Sequence, residues 1–202
     1  MAKIKMTKTE MKTQRDALKQ FTRFLPTLQL KKQQLQMEIR KSQELLRNNE
    51  AAAEALRLQL GSWIALFGSA ETVEKLTTLV CLEAVNTTAS NIAGVNVPVF
   101  NGVEFKVGAY NLFSEELWLD DAIKAIQQLI SIQEEHKIIE QQYNLLATEL
   151  RTTTQRVNLF EKVKIPECKD NIRRIRIYLG DMDTSAVARS KIAKNKAREV
   201  AA

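Results

Sequence analysis

The chain has 202 residues, is 45% hydrophobic and 27% charged, holds only 6 glycines and 3 prolines, and carries a net charge of +6. A single histidine and two cysteines exclude most catalytic triads, histidine-based metal sites and disulfide frameworks. No apolar run approaches the ~20 residues of a membrane-spanning helix. Met1-Ala2-Lys3-Ile4-Lys5 has no apolar stretch of the kind a signal peptide needs. These features predict an ordered, soluble, mainly helical protein of the cytoplasm.

Residues 5–67 form the first helical arm. Alternating steps of four and three pick out Met11, Leu18, Phe21, Leu25, Leu28, Leu35, Ile39, Leu46, Ala53, Leu56, Leu60, Trp63 and Phe67, with Gln14, Lys32, Ser42 and Asn49 in the remaining slots. This is the a/d seam of a left-handed coiled coil, sustained well beyond three or four heptads. Polar residues on a seam cost stability but fix register and partner choice. Pro26 is expected to kink this helix without ending it.

Residues 68–113 form a middle segment of different character, too long for a simple helix–helix connection. Glu71 to Val85 fits a short helix or a strand, and its periodicity does not decide between them. Asn101-Gly102 between two β-rich runs predicts a β-hairpin near 95–107 turning at that dipeptide. Alternation then places Val103, Phe105 and Val107 on one face and Glu104 and Lys106 on the other. Since an isolated hairpin is marginal in water, its apolar face has to pack on the helices or on another subunit.

Residues 114–182 form the second arm, with Ser114, Glu115, Glu116 and Leu117 as a capped start. Its seam reads Trp118, Ala122, Ala125, Leu129, Ile132, His136, Ile139, Tyr143, Leu146, Leu150, Thr153, Val157 and Phe160. The phase then slips by one residue and continues through Ile165, Cys168, Ile172, Ile175, Leu179 and Met182. Pro166 sits at the slip, where local unwinding or a bend is expected. Gly180 marks the expected end of tight packing, and residues 183–202 read as a basic tail. The arms predict one elongated, mainly α unit over 1–202. It is a long antiparallel two-helix coiled coil with a short hairpin-containing insertion, each arm ~90 Å long at 1.5 Å per residue.

Charge is unevenly spread. Residues 1–41 hold 11 Lys/Arg and 3 Asp/Glu, residues 42–150 hold 6 and 15, and residues 151–202 hold 13 and 6. Folded as a hairpin, the chain has a basic pole at the termini and an acidic pole at the turn, which suits different partners at the two ends. Cys81 and Cys168 fit no zinc or redox spacing, and Cys168 on the seam reads as a buried thiol. His136, also on the seam, reads as a packed residue. Glu115, Glu116, Asp120 and Asp121 match no calcium loop. No phosphate-binding glycine loop exists, so the chain reads as a non-enzyme with no cofactor and no metal. Two other readings stay open on the residues alone. A basic helical hairpin could grip nucleic acid, though its aromatic residues (Phe21, Phe24, Phe160, Tyr178) lie mostly on the seam and offer little base stacking. A self-associating coiled-coil scaffold is the other.

Two stretches carry a resemblance. Arg156-Val157-Asn158-Leu159-Phe160-Glu161-Lys162-Val163-Lys164-Ile165-Pro166 closely resembles the R-V-N-A-L-E-x-V-x-I-P signature of the D subunits of V-type and archaeal-type rotary ATPases. Asn91-Ile92-Ala93-Gly94-Val95-Asn96-Val97-Pro98 resembles that family's N-x-x-G-V-x-V-P stretch before its hairpin. The tail Arg189-Ser190-Lys191-Ile192-Ala193-Lys194 only approximates the family's ending. The resemblance implies a central rotor shaft that couples ATP synthesis or hydrolysis to ion translocation, with the active sites on other subunits. The implied partners are alternating catalytic and non-catalytic subunits (A and B), a small companion subunit (F) and a socket subunit (C). Neither nucleic acid nor a direct membrane span is implied, and association with the inner membrane is through the complex. The expected contact residues are Arg156, Arg173, Arg174 and Arg176 on the second arm and Phe100, Val103 and Phe105 on the hairpin.

Overall fold

The computed structural model describes residues 4–61, 70–110 and 118–201. It is a mainly α protein with one two-stranded antiparallel sheet. In chain order the elements are α1 (Lys8–Gly61), α2 (Ala70–Leu79), β1 (Val80–Ile92), β2 (Val95–Val107), α3 (Leu119–Asn158), a π turn (Leu159–Lys164) and α4 (Ile165–Ala201). Trp63 and Phe67 on the first seam, and the Ser114–Leu117 cap, lie outside the described residues. By internal contacts the chain divides into two compact units, Met1–Lys32 with Thr152–Ala202, and Gln33–Arg151.

α1 opens with the Thr7 side chain as its N-terminal cap. The Glu10 amide donates to Thr7 Oγ1 at 3.2 Å, satisfying one of the donors a helix start leaves over. The helix then runs through Pro26 without interruption. Every described seam position of α1 is buried or half-buried, while Phe24, Leu30, Met37 and Leu58 off the seam are exposed. The second seam is covered in the same way from Trp118 to Leu179, but Met182, expected to close it, is exposed.

In the unit 33–151, α1 and α3 run antiparallel. Asn49 Nδ2 donates to Glu135 Oε2 at 3.1 Å and Gln43 Nε2 to the Tyr143 hydroxyl at 3.5 Å, so the paired numbers fall on one helix as they rise on the other. Two apolar clusters lie here. Leu35, Val97 and Leu146 form one, with Ile39, Val95 and Leu150 against them. Leu76, Val80, Leu119, Ala122 and Ile123 form the other, with Phe105, Tyr110 and Trp118 packed on it. In the unit 1–32 with 152–202 the pairing is again antiparallel. Asn171 Nδ2 donates to Gln14 Oε1 at 3.5 Å, and the rings of Phe21 and Phe160 lie 5.0 Å apart, tilted by 46°.

The hairpin differs from the expectation near 95–107. Its strands are 80–92 and 95–107, and the chain reverses at Ala93-Gly94, not at Asn101-Gly102. Both turn residues have positive φ, 51° and 82°, as a type I′ turn requires. Asn91 holds the turn by accepting from the Gly94 amide at 3.0 Å and donating to Asn96 Oδ1 at 2.7 Å. Asn101 instead is an extra residue in β2, between the pairs Thr87–Phe100 and Asn86–Gly102, and Glu83 is an extra residue in β1. The two bulges lie on opposite strands, so the second restores the register that the first shifts. Gly102 has φ +149°, a conformation side-chain-bearing residues rarely adopt. The Glu71–Val85 ambiguity resolves into both options, helix to Leu79 and strand from Val80. The Gly108 amide closes the base of the hairpin on the Leu79 carbonyl at 2.8 Å.

The second arm also differs in its ending. α4 continues as helix through Gly180 to Ala201, where a separate tail was expected. A glycine inside a helix costs only about 1 kcal/mol, and no proline follows to stop the chain.

Candidate partner-contact surfaces

In the basic unit, Ile172 and Ile175 are buried on the seam, and this phase puts Arg173, Arg174 and Arg176 on the solvent side of α4. Arg156 is likewise exposed beside buried Val157. None of these four arginines has an ion-pair partner among the described residues. The geometry brings 173, 174 and 176 into one stretch, with Arg156 on the far side of the π turn.

Beyond Leu179 the helix buries nothing: residues 180–199 are all exposed. They include Arg189, Lys191, Lys194, Lys196 and Arg198, together with exposed apolar Val187 and Ile192. Local bonds support this stretch, such as Thr184 Oγ1 donating to the Gly180 carbonyl at 2.9 Å. Helical propensity alone holds such a segment only marginally in water. It is therefore the strongest sign in the molecule of a surface made to be covered. The sequence signal was present in its unbroken helix formers and regular basic residues.

On the hairpin, Phe100, Val103 and Phe105 are all half-buried. Phe105 is packed on the Leu76–Ile123 cluster of its own unit, which takes up much of its apolar surface. The exposed large apolar residues of the hairpin are Leu82, Val99 and Val107. Of these, alternation had placed only Val107 on the apolar face, and none was an expected contact. Glu104 and Lys106 face solvent as alternation requires, and Glu104 accepts from Asn86 Nδ2 at 2.7 Å.

Several grooves line the acidic unit, among them two of similar volume. One, of about 540 Å³, is walled by Leu60, Leu76, Val80, Ala122, Ile126 and Leu129, with Arg57 and Thr77 as its polar groups. The other, of about 510 Å³, has Asn49, Glu50, Glu54, Arg57, His136 and Lys137. The first offers mainly apolar contact. In the second, Asn49 is already bonded to Glu135, and no nucleophile–base pair converges in either. Among the described residues no three His, Cys, Asp or Glu side chains gather as a metal site, and no helix is long and apolar enough to cross a membrane. Cys168 is buried and Cys81 exposed. Burial, followed by the nearby Glu167 charge, raises the Cys168 pKa against a smaller opposing effect of Lys164. Tyr110 donates to Asp120 Oδ1 at 2.6 Å, tying the hairpin base to the start of α3. That hydrogen bond, with burial and the Asp120 charge behind it, raises the tyrosine's pKa.

The family model for the D subunit of ATP synthase matches residues 10–195. The V-type ATP synthase D subunit of Borreliella burgdorferi is 44% identical over 195 residues, covering 96% of this chain and 95% of that protein. Its counterpart from Chlamydia trachomatis serovar L2 is 29% identical, covering 98% of both chains. That of Chlamydia pneumoniae is 29% identical, covering 96% of this chain and 92% of its own length.

Proposed function

This chain belongs to the family of ATP synthase D subunits, and on that footing we propose that it is the central-stalk rotor of a V-type ATP synthase. In this reading it is a non-catalytic shaft that couples ATP synthesis or hydrolysis to ion translocation, and the active sites lie on other subunits. Its membrane association is through the complex, at the cytoplasmic side of the inner membrane.

The observation that carries the reading is the exposed basic end of α4. A helix that buries nothing of its own after Leu179 calls for a surrounding partner. The basic unit is assigned to the ring of alternating catalytic and non-catalytic subunits (A and B), with Arg156, Arg173, Arg174 and Arg176 facing it. The acidic unit is assigned to the small companion (F) and the socket (C), with the hairpin residues Phe100, Val103 and Phe105 near those contacts.

Coupling follows from asymmetry. An asymmetric helix pair inside a ring touches each catalytic interface differently, so turning it biases the interfaces in sequence between open and closed states. Close-packed seams resist twisting and pass torque along the helices. A turning shaft needs ring contacts that are acceptable in several orientations. Exposed arginines without fixed partners meet that need, since solvent-screened charges steer without locking.

Native mass spectrometry of this chain mixed with the catalytic and non-catalytic subunits tests the proposal. One copy bound per hexameric ring is the expected result. Self-association without ring binding would favour a scaffold, and salt-sensitive binding to nucleic acid would favour the other alternative.

A further inference from the structure

Asn101-Gly102 does not turn the hairpin, yet it is the one Asn-Gly pair in the chain. In such a pair glycine has no side chain to shield its amide nitrogen, the atom that can attack the asparagine side-chain carbon. The other hairpin asparagines, Asn86, Asn91 and Asn96, precede Thr87, Ile92 and Val97, whose branched side chains crowd the corresponding nitrogen.

The fold leaves this pair open. Asn101 is exposed, and as the extra residue of a bulge it has no residue opposite it on β1. A Cβ added at Gly102 would meet nothing within 4 Å, so the space beside the nitrogen is open to water. The φ of +149° at Gly102 is one that side chains rarely adopt, so the bulge itself calls for glycine after Asn101. The residue that shapes the bulge is therefore also the one that leaves the nitrogen unhindered.

The neighbouring strand supplies a donor. Thr88 Oγ1 donates to Asn101 Oδ1 at 3.3 Å. That oxygen takes on negative charge when a nitrogen adds to the side-chain carbonyl, and a donor already aimed at it stabilises the addition.

We propose that Asn101-Gly102 is a self-modification site at which Asn101 deamidates, assisted by the Thr88 hydroxyl. The Gly102 amide gives its proton to solvent base, and its nitrogen bonds to Asn101 Cγ. The Cγ–Nδ2 bond then breaks, and Nδ2 leaves as ammonia with a proton from water. Water opens the resulting five-membered succinimide at either carbonyl, giving aspartate or isoaspartate without any change of oxidation state. Either product puts a carboxylate beside Thr88, on the strand face where Glu104 already reaches Asn86. Isoaspartate also lengthens β2 by one backbone carbon, at a residue the ladder leaves unpaired, so the hairpin survives the change.

Peptide mapping by mass spectrometry, with isoaspartyl methyltransferase labelling, tests this on the full chain held folded at mildly alkaline pH. Asn101 should become about 1 Da heavier, roughly tenfold faster or more than Asn86, Asn91 or Asn96. Thr88→Val should slow the conversion about two- to tenfold, the worth of one neutral hydrogen bond, whereas Thr88→Ser should keep the wild-type rate. All rates are compared below each variant's unfolding transition. An Asn101 that persists in the folded chain and converts only in denaturant would overturn the site. A Thr88→Val rate equal to or above that of the wild type would overturn the part assigned to Thr88.

Discussion

The two units use the same helix pairing to different ends. The unit of residues 1–32 and 152–202 holds 21 Lys/Arg and 8 Asp/Glu, a net +13, whereas residues 33–151 hold 9 and 16, a net −7. The acidic unit closes its helices with a hairpin and has both apolar clusters. The basic unit has no such cover among the described residues. Its buried side chains, among them Val157, Cys168, Ile172 and Ile175, sit on α3 and α4 against half-buried residues of α1. The acidic unit covers part of its helices with the hairpin and leaves mainly apolar surface open, whereas the basic unit leaves a charged helical surface open. Opposite net charges on the two units are what a part with two different sets of neighbours would carry.

The comparison breaks most easily at its packed positions. Leu146→Ala empties a fully buried site shared with Leu35 and Val97, and should cost ~2–5 kcal/mol in denaturant unfolding. Ile175→Ala, equally buried in the basic unit, belongs at the lower end of that range if its half-buried neighbours can relax into the space. Equal losses at the two sites would remove the distinction between a covered and an open unit. Next in size is Gly102→Ala, which forces a side chain into a φ of +149° and should cost about 1–3 kcal/mol, although the site itself is open. Asn49→Leu should leave stability within about 1 kcal/mol of wild type or raise it, since it replaces a buried polar seam residue with an apolar one. Its visible effect should be on pairing, with dimers or mixed registers in sedimentation.

The smallest effect concerns the thiols. At neutral pH a maleimide should label exposed Cys81 quickly and buried Cys168 only as the chain opens. With its pKa raised in the fold, Cys168 keeps its proton longer than in the unfolded chain. Its contribution to stability is therefore present at neutral pH and is lost as pH rises from the ordinary thiol range through the folded value. Cys168→Ser should flatten that alkaline slope.

Much of the fold was legible because a heptad seam is a long-range signal repeated many times. Even the one-residue slip before Ile165 could be read, and the π turn accounts for it. The hairpin turn was not, because Asn-Gly is only a local preference. Long strands needed their reversal at Ala93-Gly94, where the Asn91 side chain supports a positive φ that alanine does not favour. Asn101-Gly102 served as a bulge instead. Among the expected contact residues, the arginines were legible as outward-facing because they lie between seam positions. Phe105 was not, since alternation shows which residues share a face but not what that face packs against. The end of tight packing at Gly180 was legible, since residues 180–199 are all exposed; the continuation of α4 as helix beyond it was not, although nothing after that glycine breaks a helix.

Rotation is the central claim, and the exposed cysteine at position 81 gives it a handle. The chain is labelled there with biotin, assembled into the immobilised catalytic ring, and followed through an attached bead as ATP is added. The account predicts stepwise rotation in one direction that stops when ATP is withdrawn. A bead that stays fixed while the ring hydrolyses ATP would contradict it.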